Sequence, residues 1–156
     1  MRRKDREVTA FEEKLRILQA SQVCRLGMVD EAGEPYIVPM NFGWQTEGKQ
    51  LTLFVHCALS GRKLDILRAN PRVCFETDSG HELVRTELPC GYSFRYQSLI
   101  GWGKVQILED HESKAEGLRA IMRHQAGMSD AVFTHEDTKR FYVLRLDVEK
   151  LTGKRH

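Results

Sequence analysis

The chain has 156 residues, of which 41% are hydrophobic and 29% charged, and its formal net charge at pH 7 is +2. A domain of this length buries a hydrophobic core without metal or disulfide staples. The near balance of charge argues against a general nucleic-acid-binding protein, and no apolar run approaches the length of a membrane span. We therefore expect one domain, residues 1–156, that binds neither nucleic acid nor a membrane.

The cysteines and the start of the chain bear on metal content and cellular location. No two of the four cysteines have the close spacing of zinc ribbons or redox dithiols, so no metal site is expected. Reduced thiols in apolar runs are typical of a cytoplasmic protein. Residues 1–8 are highly charged, contain no apolar segment that would serve as a signal peptide, and are expected to form an extended or poorly ordered arm.

Helices and strands follow one another along the rest of the chain. A capping box, Thr9-x-x-Glu12, predicts a helix that ends near Ala20, and Asp110 is expected to cap a later helix. Alternating polar and apolar residues between turn signals predict the strands. The predicted strands are residues 22–29, 36–44, 50–57, 72–77, 92–108 and 141–151, the predicted helices are 9–20, 60–69 and 110–125, and residues 78–91 are expected to form a loop.

This order of elements predicts a fold that is mainly β with α (α+β). Strands joined by short turns are antiparallel. Six strands in 156 residues, with helices at the connections, indicate a small closed or half-open barrel with peripheral helices.

The segment after the third strand is the most informative part of the chain. Ser60 is expected to cap a helix whose first turn contains Arg62 and Lys63. The helix dipole places partial positive charge at that end, where Asp or Glu is the usual choice. Two cations beside free backbone N–H groups are explained if an anion, most simply a phosphate, binds among them. The segment therefore predicts a site for a phosphorylated small molecule.

Pro39 and Asn41 interrupt an otherwise apolar strand. Proline removes a donor from the hydrogen-bond ladder, so this strand is expected at a sheet edge or at a bulge. That structural role is sufficient to explain the proline, and the pattern favours it. The alternative is an open stretch of backbone to which a planar ligand forms hydrogen bonds.

His56 ends the third strand, on the face that Thr52 and Phe54 share. A core histidine hydrogen-bonded to the backbone is the commoner explanation for a lone histidine, whereas the neighbouring anion site favours a group aimed at a ligand. A nucleophilic pair of His56 and Cys57 is disfavoured because adjacent strand side chains point to opposite faces.

The fifth strand offers further candidate contacts to a phosphate. Polar and aromatic residues alternate over residues 92–98, and Arg95, Gln97 or Ser98 could help to hold the anion. The alternative is a solvated strand face opposite an aromatic core face. The Gly-x-Gly that follows lies inside a strand, so it is not a dinucleotide-binding fingerprint.

Taken together, these segments resemble the FMN-binding split-barrel proteins. Within them the chain is most similar to the pyridoxamine phosphate oxidase-like branch that contains the nitroimidazole-resistance (Nim-type) proteins. The order and spacing of the motifs carry the resemblance over nearly the whole chain. The motifs are Pro35-Tyr36-Ile37-Val38-Pro39-Met40-Asn41-Phe42, His56-x-Ala58-x-x-Gly61-x-Lys63, Asn70-Pro71-x-Val73-Cys74-Phe75 and Tyr96-x-Ser98-x-x-Gly101-x-Gly103.

The resemblance implies a six-stranded antiparallel Greek-key split barrel that forms a homodimer, with two FMN sites at the subunit interface. It implies roles for the candidate residues. Arg62 and Lys63 would hold the phosphate, in a grip that begins at Ser60; Ser98 would lie near the phosphate end; Val38, Pro39, Met40 and Asn41 would run along the flavin ring; and His56 would be the catalytic residue beside the flavin and a small-molecule pocket.

The expected function is that of a cytoplasmic FMN-dependent oxidoreductase, nitroreductase-like or pyridoxamine phosphate oxidase-like. It would reduce a small oxidant such as a nitroaromatic, with electrons from a reduced nicotinamide or a partner. The alternatives are a haem-binding barrel with His56 as axial ligand, or a barrel that binds flavin without turnover. The chain lacks the C-terminal extension with which oxidases of pyridoxamine phosphate grip their substrate, and this disfavours vitamin B6 oxidation.

Overall fold

A computed structural model describes residues 3–156, and Met1 and Arg2 of the predicted arm lie outside the described residues. Short 3₁₀ turns are present at Lys4–Arg6 and Pro89–Gly91. The elements in chain order are β1 (Glu7–Val8), α1 (Phe11–Ala20), β2 (Val23–Val29), β3 (Pro35–Asn41), β4 (Gly43–Glu47), β5 (Gln50–Cys57), α2 (Arg62–Ala69), β6 (Arg72–Val84), β7 (Ser93–Leu108), α3 (His111–Ala126), α4 (His135–Thr138) and β8 (Tyr142–Arg155).

The strands form one antiparallel sheet in the order β3-β2-β6-β7-β8-β5-β4, and β1 pairs with β8. The prediction of a mainly antiparallel β fold with peripheral helices is confirmed. The sheet has eight strands rather than six, for two reasons. The predicted strand 36–44 is broken at Phe42 into β3 and β4, which lie at opposite ends of the sheet order. In addition, part of the predicted arm forms β1, in which Val8 is buried opposite Gly153.

Two of the three predicted helix caps are wrong. α1 begins after Ala10, which makes no capping hydrogen bond, so the capping box at Thr9 does not form. The residue before α2 is Gly61, whose φ of 136° is one that glycine adopts readily, and the helix therefore begins one residue after the position where Ser60 would cap it. Asp110 does cap α3, because its side chain accepts from the backbone N–H of Ser113.

The first half of the predicted loop 78–91, residues 78–84, extends β6 into a hairpin with β7. The register shifts between Ser79 and Glu82, and three further pairs beyond the bulge join residues 82–84 to 93–95. The last strand is likewise longer than predicted and runs to Arg155. Both extensions are mostly polar, so neither had the apolar alternation on which the strand prediction relied.

The core has two parts, one inside the barrel and one beneath α3. The larger cluster includes Ile17, Leu18, Phe42, Phe75 and Leu99, which are inaccessible to solvent. The smaller cluster comprises Phe54, Leu108, Leu118, Ala120, Ile121 and Val143. Among residues 3–156, no helix is long and apolar enough to cross a membrane.

Candidate functional site

The first turn of α2 presents unpaired backbone donors. The carbonyl of Gly61 accepts from the N–H of Leu64 at 2.9 Å and so closes the first turn. The N–H groups of Arg62 and Lys63 have no acceptor within residues 3–156. Free N–H groups at a helix N-terminus, combined with the helix dipole, favour an anion. The geometry therefore suits the phosphate site predicted from the sequence.

Lys63 adds a half-buried positive charge to this turn. Its Nζ lies 3.6 Å from Sδ of Met40 on β3, and it has no carboxylate partner in the described part of the chain. Burial raises the pKa of the Cys57 thiol, and the positive charges of Lys63 and Arg68 oppose that rise. The ammonium group of Lys63 is thus available to an external anion.

Arg62 has a different environment. Its Nη2 donates to Oδ2 of Asp30 in the β2–β3 turn at 3.1 Å. Its guanidinium lies over the ring of Tyr36, 4.8 Å from the ring centre. Neither partner is predictable from local pattern, because Asp30 has the features of a turn residue and Tyr36 those of a strand residue. The adjacent cations therefore differ in how they are held.

The strand predicted to contact a planar ligand, β3, is a terminal strand of the sheet, so the edge position expected from Pro39 is confirmed. Val38 and Met40 are half-buried on the inner face, whereas Pro39 and Asn41 are exposed on the outer face. The side-chain amide of Asn41 donates to the carbonyl of Gln22 at 3.2 Å. The amide is therefore satisfied locally, and the free feature of β3 is its outer backbone edge.

His56 is exposed at the end of β5, although residues 51–55 are buried. His56 is therefore not a buried core histidine, which was the commoner explanation for a lone histidine. The imidazole lies edge-on to Phe141, with ring centres 6.0 Å apart, and its side chain makes no hydrogen bond to any residue in 3–156. The side chain of Cys57, the next residue, points to the opposite face of β5. No described contact within residues 3–156 joins His56 to Lys63.

Ser98 lies on β7, opposite Asp78 and Lys154. It lines a shallow cavity of about 330 Å³ with Trp102 and Lys150, whose Nζ lies 5.0 Å from a ring centre of Trp102. Three strand spacings separate β7 from β3 in the sheet, which is about 14 Å at the usual spacing. Within one copy, no described contact joins Ser98 to the first turn of α2.

The outward face of the sheet between the first turn of α2 and Ser98 carries exposed apolar side chains beside one charged cluster, in which Arg25 pairs with Glu76 and Asp78. Ile37 is 66% exposed, Val29 44% and Ile100 39%. Val29 and Ile37 line a second shallow cavity, of about 370 Å³, that also reaches Trp102. Strand alternation predicts which side chains point to this face, but the sequence does not show that no helix covers them. Exposed apolar side chains grouped on one face in this way are typical of an interaction site.

Comparison with known proteins gives one family and one fold. Residues 11–155 match the family model for pyridoxamine 5′-phosphate oxidase. A proposed 5-nitroimidazole antibiotic resistance protein from Bacteroides thetaiotaomicron is 32% identical, with a TM-score of 0.83 over 96% of this chain and 86% of that chain. No curated protein sequence matched significantly.

Two more distant structures share the fold. A FAD- and haem-binding protein from Mycobacterium smegmatis is 19% identical, with a TM-score of 0.80 over 96% of this chain and 73% of that chain. A FAD-binding protein from Mesorhizobium loti is 20% identical, with a TM-score of 0.68 over 97% of both chains.

Proposed function

Because this chain belongs to the pyridoxamine 5′-phosphate oxidase family, whose model matches residues 11–155, we propose that it binds FMN non-covalently and reduces a small oxidant. The observation that carries the proposal is the first turn of α2, where Lys63 and two unpaired N–H groups adjoin the edge strand β3. A single helix N-terminus suits the terminal phosphate of FMN. The bound flavin would supply the electron transfer.

The chain's own residues would hold and orient the cofactor. Lys63 and the N–H groups of α2 would bind the phosphate, with Ser60 beside them. The outer edge of β3, along Val38–Asn41, would offer backbone groups to the ring. His56 would contact the ring region or the substrate. Because Ser98 lies three strands away in the same copy, we propose that it reaches a flavin bound by a second copy.

The proposed substrate class is nitroaromatic, with a reduced nicotinamide as electron donor. Its support is the 32% identity to a protein named for 5-nitroimidazole resistance. The proposed setting is the cytoplasm, which the free state of all four cysteines supports.

A haem-binding protein is the second candidate. The exposed imidazole of His56, which has no hydrogen-bond partner within residues 3–156, is a group of the kind that ligates haem iron. A protein with the same fold is named for binding both FAD and haem. In this alternative, flavin is absent or bound without turnover.

The visible absorption spectrum of the purified protein tests these alternatives. We expect the two bands of a flavin, and heat release followed by chromatography should identify the chromophore as FMN. A Soret band would support the haem alternative. Recovery of FAD as the main species would contradict the assignment of α2 as a site for a terminal phosphate.

We propose that the protein is a homodimer. The exposed apolar side chains of its outward face and the outer edge of β3 are features that a second copy would cover. Sedimentation velocity at micromolar concentration should give a dimer. Ile37→Asp should shift the protein toward monomer, whereas Val132→Asp, at a site 87% exposed outside this face, should not. A flavin-loaded monomer would contradict the proposal.

His56 should act on turnover more than on cofactor binding. His56→Ala is expected to leave the FMN dissociation constant within a few-fold. Reduction of an added nitroaromatic should slow roughly three- to tenfold, the scale of one lost hydrogen bond. Stopped-flow reoxidation of the reduced flavin measures this, with His81→Ala on the β6–β7 hairpin as the control. Loss of FMN from a folded variant would instead make His56 a cofactor anchor.

A further inference from the structure

Arg62 and Lys63 are adjacent in sequence, yet their charged groups are engaged differently. The guanidinium of Arg62 is paired with the Asp30 carboxylate and rests on the Tyr36 ring, whereas within residues 3–156 the Lys63 ammonium has the sulfur of Met40 as its side-chain partner and no carboxylate. An anion that binds at α2 therefore meets one cation that already has a counter-ion and one that does not. The difference suggests that the two residues have different tasks.

Asp30 is itself fixed. Its Oδ1 accepts from the backbone N–H groups of Ala32 at 3.0 Å and Glu34 at 2.9 Å, which builds the β2–β3 turn. Its Oδ2 is left for Arg62, and the side chain is only 23% exposed. The hydrogen bond from Glu34 and the pairing with Arg62 hold the pKa of this carboxyl below its usual value. Asp30 is thus a rigid acceptor that is ionised at neutral pH.

The contacts of Arg62 span two elements that the sheet does not hold together. α2 carries the proposed phosphate site, and β3 carries the proposed ring site. Within the sheet that residues 3–156 form, β3 is a terminal strand and its hydrogen-bonded neighbour is β2. Tyr36 lies within β3, and Asp30 lies at the turn that leads into it. Arg62 therefore joins the start of α2 to both the beginning and the turn of the edge strand.

We propose that Arg62 is a positioning residue, clasped by Asp30 and Tyr36, that fixes the edge strand β3 against the start of α2, while Lys63 alone of the two contacts the phosphate. This inference rests on the proposed flavin binding. It replaces the expectation that both cations hold the phosphate. Without the clasp, β3 would be free to move relative to the start of α2. The ring site would then be less well ordered, and binding of every flavin, phosphorylated or not, would weaken.

Binding of two ligands to four variants tests the clasp. We expect Arg62→Ala and Asp30→Asn each to weaken FMN and riboflavin binding alike, by about three- to tenfold, the scale of an exposed ion pair with a cation–π contact. The ratio of the two dissociation constants should stay within about twofold of wild type. Asparagine keeps the Oδ1 acceptor of the turn, so Asp30→Asn removes the charge pair selectively. Lys63→Ala should weaken FMN binding but not riboflavin binding, so that the preference for FMN over riboflavin is lost.

Arg68→Ala is the matched control, because Arg68 lies on the same helix and pairs with Asp65 at 3.7 Å. It removes the same charge without touching β3, and both affinities should stay near wild type. If Arg62→Ala weakens FMN alone, Arg62 is a phosphate ligand and the clasp proposal is overturned. Unchanged binding of both flavins by Asp30→Asn would also overturn it.

Hydrogen exchange in the flavin-free protein separates this proposal from the proposed function. Arg62→Ala and Asp30→Asn should speed amide exchange in Pro35–Asn41, and Arg68→Ala should not. If the wild type binds neither flavin but these two variants loosen β3, the proposed function fails and the structural clasp stands. If exchange in β3 is unchanged in both variants, the clasp fails whatever the ligand.

Discussion

Replacing Lys63 with alanine is expected to weaken FMN binding by about 1.5–3 kcal/mol, a factor of roughly ten to 150, the range for a hydrogen bond to a charged group. The ammonium group is half-buried beside Met40 and has no carboxylate partner in the described part of the chain, so a phosphate would be its main counter-charge. Riboflavin, which lacks the phosphate, should bind within about twofold of wild type.

Quenching of flavin fluorescence gives both dissociation constants for Lys63→Ala. Lys139→Ala is a suitable control. Lys139 is exposed, follows α4 rather than lying on α2, and pairs with Glu136 at 2.6 Å. The loss should shrink as salt is added, since screening already weakens the wild-type attraction. Equal losses for FMN and riboflavin would show that Lys63 supports the fold through Met40 instead of binding the anion.

Gly43→Ala is expected to destabilise the protein by about 3 kcal/mol or more, the upper range for an overpacked core. A Cβ at Gly43 would lie 2.2 Å from the backbone carbon of Ala120 and 2.2 Å from the nitrogen of Ile121. Backbone atoms in the middle of a helix cannot swing aside as a side chain can. α3 would have to move off the sheet, and the packing over Phe54 would move with it.

Thermal unfolding followed by circular dichroism measures the effect of Gly43→Ala. A loss of 3 kcal/mol corresponds to a melting temperature lower by roughly 6–12 °C for a chain of this size. Thr46→Ala, at the exposed end of the same strand, should stay within about 0.5 kcal/mol. Ala120→Gly should not rescue Gly43→Ala, because the clash is with backbone. A variant that melts like wild type would show that α3 does not pack this closely.

Local pattern was enough for the fold class and for part of the site. Strand alternation and short turns predict an antiparallel sheet, Asp110 predicts its helix, and Pro39 predicts an edge strand, because each of these signals acts within a few residues. The pair of cations after Gly61 similarly indicates an anion, since helix dipoles have a fixed direction. The sequence by itself therefore determined that this is a β barrel with a candidate phosphate site at α2.

Long-range packing decided the rest. The break at Phe42 sends β3 and β4 to opposite ends of the sheet order, although residues 36–44 look like one strand. The pairing of Arg62 with Asp30 joins residues 32 apart in sequence, and the exposure of His56 depends on where α3 and Phe141 lie. Such contacts depend on the relative placement of distant segments, which no local periodicity encodes. Tertiary structure alone therefore distinguished the clasped cation from the free one.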